Sequence, residues 1–120
     1  MTLVDTSIWI SHLRRGNDRL RALLEDGQVL CHPFIVGEIA CGSIKNRDEV
    51  LGLLAILPQV TVAEHDEVLN LAHRRHLYGR GLGWIDLHLL TSAILSNALL
   101  WTDDRRLAAV AAEMGNKAST

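Results

Sequence analysis

Short apolar runs alternate along the chain with longer segments in which apolar residues recur at helical spacing. We predict a strand where a run is short, continuously apolar or β-branched, and stops at a polar residue or proline. The four runs are TLVD (2–5), QVLCHP (28–33), VTVA (60–63) and ALLWT (98–102). Helices are predicted over residues 7–13, 19–25, 34–42, 47–57, 64–78, 85–95 and 103–114. Apolar strands that alternate with helices predict a parallel sheet covered on both faces.

Acidic residues follow the first and the last predicted strand. Asp5 ends the first strand, and Asp103 and Asp104 follow the last one. In open parallel α/β folds, ligands bind beyond the carboxyl ends of the strands. We therefore expect these three acids at one edge of the sheet. Asp18, in contrast, is expected to cap the second helix.

Composition and charge narrow the class of protein. The chain has 120 residues, of which 48% are hydrophobic and 22% charged, with a formal net charge of −2. These values predict one globular domain over residues 1–120 and exclude a disordered chain or a uniformly basic nucleic-acid binder. The chain has no signal-peptide pattern and no apolar run of the roughly 18 residues that span a bilayer, so we expect a cytoplasmic protein without a membrane segment.

Four apolar segments each contain an acid that a buried position would not tolerate without a partner. The acids are Asp5, Glu38, Asp86 and the pair Asp103–Asp104. Asp5, Asp86 and Asp103 have an alternative role as caps of the helices that follow them. Glu38 lies inside an apolar helix, where the alternatives are an ion pair with an arginine or a turn that faces solvent.

Taken together, these acids predict a metal site. Carboxylates gathered in one pocket repel one another and raise each other's pKa, and a hard divalent cation such as Mg²⁺ or Mn²⁺ removes that conflict. The six histidines form no HExxH or HxH pair, so histidine ligands are not indicated.

The segments LVDTSIWI, VGEIACG, GRGLGWIDLHLLTSA and LLWTDDRRL, in this order, resemble a PIN-domain protein, specifically a VapC-type toxin of a type II toxin–antitoxin system. The resemblance spans residues 3–107. It implies a PIN-like three-layer α/β/α sandwich with a short central parallel sheet of four or five strands. It also implies an Mg²⁺- or Mn²⁺-dependent endoribonuclease, a cognate antitoxin that blocks the site, a homodimer, and a toxin–antitoxin hetero-oligomer.

The resemblance also assigns roles to individual residues. Asp5, Glu38 and Asp86 match the first three acids of the family. The fourth acid belongs to the T-x-D element, where the spacing from Thr102 favours Asp104. Asp103 is then either a further metal ligand or the helix cap.

Two hydroxyl residues and the C-terminal segment complete the comparison with the family pattern. Ser7 and Thr102 match positions whose hydroxyls support the acids. The family has a further short strand after its last helix, and the segment MGNKAST leaves little room for it. The sheet is therefore expected to have four strands or a minimal fifth.

The implied reaction is hydrolysis of an RNA phosphodiester bond, with structured RNA such as tRNA as substrate. One or two Mg²⁺ ions held by the four acids would orient and activate a water molecule. Arg74, Arg75 and Arg80 precede Asp86 in sequence and are candidates for binding the RNA backbone. The alternative for Arg74 and Arg75 is a solvated helix end.

Three other classes of protein share parts of this pattern. A phosphoacceptor receiver domain needs a lysine at the end of its last strand, and neither Lys45 nor Lys117 has that position. A haloacid-dehalogenase-type phosphatase needs D-x-D after its first strand, and Ser7 stands where the second acid would be. A catalytically inactive PIN-like RNA-binding module is the remaining alternative, and the presence of all four acids counts against it.

Overall fold

The computed structural model describes residues 1–119, in which a small parallel sheet is surrounded by helices. The strands are β1 (Thr2–Val4), β2 (Val29–Leu30) and β3 (Leu99–Trp101). The helices are α1 (Thr6–Arg15), α2 (Asp18–Glu25), α3 (Pro33–Cys41), α4 (Arg47–Ile56), α5 (His65–Arg74), α6 (Trp84–Leu95) and α7 (Arg105–Glu113). The predicted α/β class is confirmed, and each predicted helix is present.

The sheet has the order β2-β1-β3, and both pairings are parallel. The predicted count of four or five strands is wrong, because three strands form within residues 1–119. A single bridge extends the sheet at each edge: Gln59 pairs with Cys31 beside β2, and Lys117 pairs with Leu100 beside β3. Each of these two segments lies parallel to the edge of the sheet, but a single bridge is too short to form a strand.

The segment 60–63 fails to form its predicted strand because α6 takes up its backbone donors. Val60 donates its N–H to the Cys31 carbonyl over 3.0 Å, as a strand would. Thr61 then donates its N–H to the Ser96 hydroxyl over 2.8 Å, and Ala63 donates to the Ser92 hydroxyl over 3.0 Å. The side chains of Ser92 in α6 and of Ser96 at its C-cap therefore replace the ladder that a neighbouring strand would have provided.

Helix α6 is the central helix of the fold. It contacts β1, β3, α5 and α7, and its residues 87–93 are all buried. A helix that is apolar on all sides is stable only inside a core. Its first turn nevertheless reaches the edge of the protein, which places Asp86 near the end of the sheet. Within residues 1–119, no helix is both long and apolar enough to cross a membrane.

Two helix ends differ from the prediction for local reasons. Asn17, and not Asp18, caps α2: its Oδ1 accepts the N–H of Leu20 over 3.0 Å. Helix α5 was predicted to continue to residue 78 but ends at Arg74. His76 has a φ of 52°, which is left-handed backbone that an α-helix cannot contain.

Candidate active site

The carboxyl ends of β1 and β3 bring distant parts of the chain together. The register pairs Val4 with Trp101, and the next residue, Asp5, donates its N–H to the Trp101 carbonyl over 2.9 Å. Because the two strands are adjacent and parallel, the segment 102–104 leaves the sheet at the same edge as Asp5. The structure therefore places Asp5, Asp103 and Asp104 at the edge where the sequence predicted them.

Three donors fix the carboxylate of Asp5, whose residue is only 9% exposed. Oδ1 accepts the N–H of Thr6 over 2.8 Å, and Oδ2 accepts the hydroxyls of Ser7 over 3.2 Å and Thr102 over 2.7 Å. The first bond makes Asp5 the cap of α1, as the alternative interpretation proposed. Capping and membership of the acid site are thus compatible, because the two oxygens have different partners.

The two hydroxyls that support Asp5 are themselves oriented by backbone amides. Ser7 accepts the N–H of Asp103 over 3.2 Å, and Thr102 accepts the N–H of Asp104 over 3.1 Å. Since each hydroxyl oxygen accepts a hydrogen from the backbone, its own hydrogen is directed to the carboxylate. The loop after β3 therefore holds Asp5 in one orientation.

Glu38 reaches the site from α3. Its Oε1 accepts the hydroxyl of Thr6 over 2.8 Å, and its side chain is exposed. The predicted alternative of an ion pair with an arginine is not formed within residues 1–119. Thr6 thus joins two of the predicted acids, since its N–H binds Asp5 and its hydroxyl binds Glu38.

Asp86 lies in the first turn of α6, half-buried at the same edge. Its Oδ2 accepts the N–H of Gly83 over 3.0 Å. Burial raises the pKa of the Asp86 carboxyl above its ordinary value, and the charges of Asp5 and Asp104 raise it further, against the opposing effect of the Gly83 hydrogen bond. Asp86 therefore lies within electrostatic range of the carboxylates of both Asp5 and Asp104.

Asp104 caps α7, whereas Asp103 does not. The Oδ1 atom of Asp104 accepts the N–H groups of Arg106 over 2.9 Å and Leu107 over 3.1 Å. The alternative role of Asp103 as the cap is therefore wrong, because the helix begins one residue later than that role requires. Asp103 is exposed, and its described contact with the site is through its backbone N–H to Ser7.

Three of the acids share one arrangement, in which a single oxygen is held and the other is left without a partner. Within residues 1–119, Oε2 of Glu38, Oδ1 of Asp86 and Oδ2 of Asp104 accept no hydrogen bond. In the same part of the chain, none of these acids forms an ion pair with a basic residue. Oxygen donors of this kind fit a hard divalent cation. No three His, Cys, Asp or Glu side chains in residues 1–119 lie close enough together to surround an ion.

Within residues 1–119, none of the arginines predicted to bind RNA forms an ion pair with the four acids. Arg74 and Arg75 are exposed at the end of α5. Arg80 donates to Glu113 on α7 through both terminal nitrogens, with Nη1 3.0 Å from Oε1. This pairing raises the pKa of Arg80 and lowers the pKa of Glu113. Arg80 is therefore already engaged by an acid outside the site.

One member of the site was missed in the sequence. Thr6 stands between two predicted residues, Asp5 and Ser7, and only its contact with Glu38 distinguishes it. The available signal was the D-T-S pattern itself, in which a first-turn hydroxyl follows a capping acid. Nothing in the sequence indicates that this hydroxyl turns toward residue 38.

Comparisons with known proteins agree with this architecture. A family model described as PIN domain matches residues 2–113. Proteins named Ribonuclease VapC32 from two strains of Mycobacterium tuberculosis, CDC 1551 and H37Rv, are each 56% identical over 116 residues, covering 96% of this chain and 94% of the relative. The crystal structure of PAE2754 from Pyrobaculum aerophilum is similar with a TM-score of 0.61 at 20% identity, over 90% of this chain and 77% of that chain. The last similarity concerns the fold alone.

Proposed function

The chain belongs to the PIN-domain family and is of the VapC type, and on that premise we propose that it is a toxin of a type II toxin–antitoxin system. Its activity is that of an endoribonuclease that hydrolyses RNA phosphodiester bonds, and structured RNA such as tRNA is the proposed substrate. The relatives named Ribonuclease VapC32 support the reaction class, because their similarity covers nearly the whole chain. Residues 1–120 are proposed to act as one PIN domain in the cytoplasm.

The observation that carries the enzymatic proposal is the arrangement of half-engaged carboxylates at the edge of the sheet. Mg²⁺ or Mn²⁺ would be held by the free oxygens of three acids and by the lone pair that Oδ1 of Asp5 retains beside its one hydrogen bond, and Asp103 is a further candidate ligand. The proposed ligands are Asp5, Glu38, Asp86 and Asp104. When bound, such an ion lowers the pKa of a coordinated water and neutralises charge on a phosphate.

Hydrogen bonds from neighbouring residues fix the orientation of the acidic side chains. Asp5 cannot turn, because three donors hold its two oxygens. The Thr6 hydroxyl holds Glu38 at a fixed distance from Asp5, and the Gly83 amide holds Asp86. These hydrogen bonds orient the single side chains and so lower the cost of binding an ion, although within residues 1–119 no three of the acids are close enough to surround one before it binds.

Two kinds of partner follow from the proposal. RNA would be guided to the acids by basic groups, for which Arg74, Arg75 and Arg80 remain candidates, although Arg80 must first leave Glu113. A cognate VapB-type antitoxin would block the site, within a hetero-oligomer built on a toxin homodimer.

Incubation of the purified protein with total bacterial RNA, with Mg²⁺ or with EDTA, tests the enzymatic proposal. We expect cleavage with Mg²⁺, none in EDTA, and none with Asp5→Asn. The matched control is Asp48→Asn, which removes a fully exposed acid on α4 and should cleave as the wild type does. Circular dichroism checks that each variant is folded.

Three results would overturn parts of this proposal. Undiminished cleavage in EDTA or by a folded Asp5→Asn variant would refute the metal site. A wild type that binds RNA without cutting it would identify the inactive RNA-binding module instead. Normal bacterial growth during expression of the wild type alone would count against a toxin.

A further inference from the structure

Gly81 and Arg106 contact each other closely across the surface beside the acid site. Gly81 has a φ of 80°, so its backbone is left-handed. A Cβ atom added at Gly81 would lie 2.6 Å from Nη1, 2.9 Å from Cδ and 3.0 Å from Cζ of Arg106. The arginine side chain therefore lies against the glycine backbone, in space that any other residue would occupy.

This contact connects the two segments that position Asp86 and Asp104. Arg106 is in the first turn of α7, and its backbone N–H donates to Asp104 Oδ1 over 2.9 Å. Gly81 precedes Gly83 by two residues, and Gly83 donates its N–H to Asp86 over 3.0 Å. The Arg106 side chain thus connects α7, which Asp104 caps, with the loop before α6, which contains Asp86.

Within residues 1–119, the exposed guanidinium of Arg106 packs against Gly81 and forms no ion pair with an acid. The ion pairs within residues 1–119 are Arg21–Asp18, Arg47–Asp48 and Arg80–Glu113. A guanidinium has five donors in a planar fork that matches the oxygens of a phosphate. A cation that lies near the acid site and has no counter-ion among the described residues fits a polyanionic ligand.

We propose that Arg106, seated on Gly81, binds a backbone phosphate of the RNA next to the bond that is cut. The inference rests on the proposed function, since it takes RNA as the ligand of the acid site. It adds a phosphate-binding residue that lies outside the four acids and apart from Arg74, Arg75 and Arg80. Gly81 is the positioning residue for that group.

RNA affinity is measured in the Asp5→Asn background, where a labelled RNA oligonucleotide stays intact, over a range of salt concentrations. Arg106→Ala should weaken binding about tenfold and reduce the salt slope by about one. Arg106→Lys should recover part of the loss. The matched control is Arg105→Ala, which removes the neighbouring exposed arginine and should change affinity by less than about twofold.

The role of the glycine is tested by comparing Gly81→Ala with Gly79→Ala. Both glycines have positive φ, 80° and 71°, but a Cβ at Gly79 meets nothing within 4 Å. The two variants should therefore lose similar thermal stability from backbone strain. Only Gly81→Ala should also lose RNA affinity, to the level of Arg106→Ala, and the double variant Gly81→Ala/Arg106→Ala should bind no more weakly than Arg106→Ala alone.

Failure of this inference is distinguishable from failure of the proposed function. If the wild type cuts no RNA, the proposed function fails first. If the wild type cuts RNA and Arg106→Ala binds and cuts it equally well, the phosphate site is refuted. Equal losses for Arg105→Ala and Arg106→Ala would also refute it, since they would indicate general charge attraction. Unchanged RNA affinity with weakened binding of an acidic protein partner would assign Arg106 to that partner instead.

Discussion

Thr102 donates its hydroxyl hydrogen to Oδ2 of Asp5 over 2.7 Å, and this bond joins the two ends of the chain at the candidate active site. Both residues are buried, with 7% and 9% of their surfaces exposed. The same hydroxyl oxygen accepts the N–H of Asp104 over 3.1 Å. One side chain thus positions an acid that follows β1 and the backbone of an acid that follows β3.

Thr102→Val should lower both stability and activity. The change keeps the side-chain shape but leaves the Asp5 carboxylate with one donor fewer, and the loss of a hydrogen bond to a charged group costs about 1.5–3 kcal/mol. Urea unfolding measures the stability, and RNA cleavage measures the activity. Thr102→Ser should recover most of the stability and the activity.

The control Thr91→Val removes a buried hydroxyl that donates to the Leu87 carbonyl, and it should leave cleavage intact. Equal cleavage by Thr102→Val and the wild type would contradict the positioning role.

Asp86→Asn should stabilise the metal-free protein at neutral pH while abolishing cleavage. The pKa of Asp86 is raised in the folded state, chiefly by burial and then by Asp5 and Asp104. The folded state therefore binds its proton more tightly than the unfolded state, and stability falls as pH rises through the ordinary pKa and then the raised one. The amide oxygen of asparagine can still accept the Gly83 N–H, without the charge.

Unfolding at several pH values in EDTA checks this prediction. The gain in the free energy of unfolding should be present at pH 7 and should disappear in acid, where the Asp86 carboxyl of the wild type is protonated. The control is Asp66→Asn. Asp66 is an exposed acid in the first turn of α5, where a negative charge is favourable, so its removal should not raise the free energy of unfolding. A loss of stability in Asp86→Asn at pH 7 would show that the folded protein favours the charged Asp86 carboxylate, which contradicts a raised pKa.

His32 should make the protein sensitive to acid. It is fully buried, and its Nδ1 accepts the Phe34 N–H over 2.9 Å. Burial, and next the charge of His88, lower the pKa of His32 from 6.5 to about 4. Since the unfolded state binds the proton more readily, this contribution to stability is complete above pH 6.5 and is lost as pH falls toward 4, by about 3 kcal/mol at most.

The slope of unfolding free energy against pH tests the role of His32. His32→Asn keeps an acceptor for the Phe34 amide but does not titrate, so its slope between pH 6.5 and 4 should be shallower than that of the wild type. The control His73→Asn changes an exposed histidine of α5 and should leave the slope unchanged. Part of the slope should remain in His32→Asn, because burial and next the charge of His65 also lower the pKa of His88.

Glu113→Gln should reveal whether Arg80 binds RNA. The change frees Arg80 from its paired contact with Glu113, so a guanidinium that binds RNA phosphates becomes available. RNA affinity at low salt should rise, and Arg80→Ala in the same protein should remove the gain. Glu25→Gln, an equal change in charge on the exposed surface of α2, is the control. Equal gains for both glutamate variants would show a general charge effect and exclude a specific contact by Arg80.

The sequence predicted the fold class and the place of several acids because both depend on local pattern. Short apolar runs between amphipathic helices are sufficient to indicate a parallel sheet, and the residue after a strand necessarily lies at its carboxyl end. Asp5 and Asp104, which follow adjacent parallel strands, therefore lie at the same edge of the sheet whatever the packing of the helices. Local pattern fails between neighbours of similar capping propensity: it predicts Asp18 as the cap of α2, where Asn17 is the cap, and it offers Asp103 as the cap of α7, where Asp104 is the cap.

The alternation of strands and helices, the PIN-domain resemblance and the acids that follow β1 and β3 could be read from the sequence, since each depends on a few consecutive residues. Only the tertiary structure decided which donors those residues meet. Ser92 and Ser96 replace a strand partner for residues 60–63, Thr6 binds Glu38, and Arg80 binds Glu113. Arg106 likewise lies on Gly81. Each contact joins side chains and backbone from distant segments, and local propensity contains no information about such a meeting.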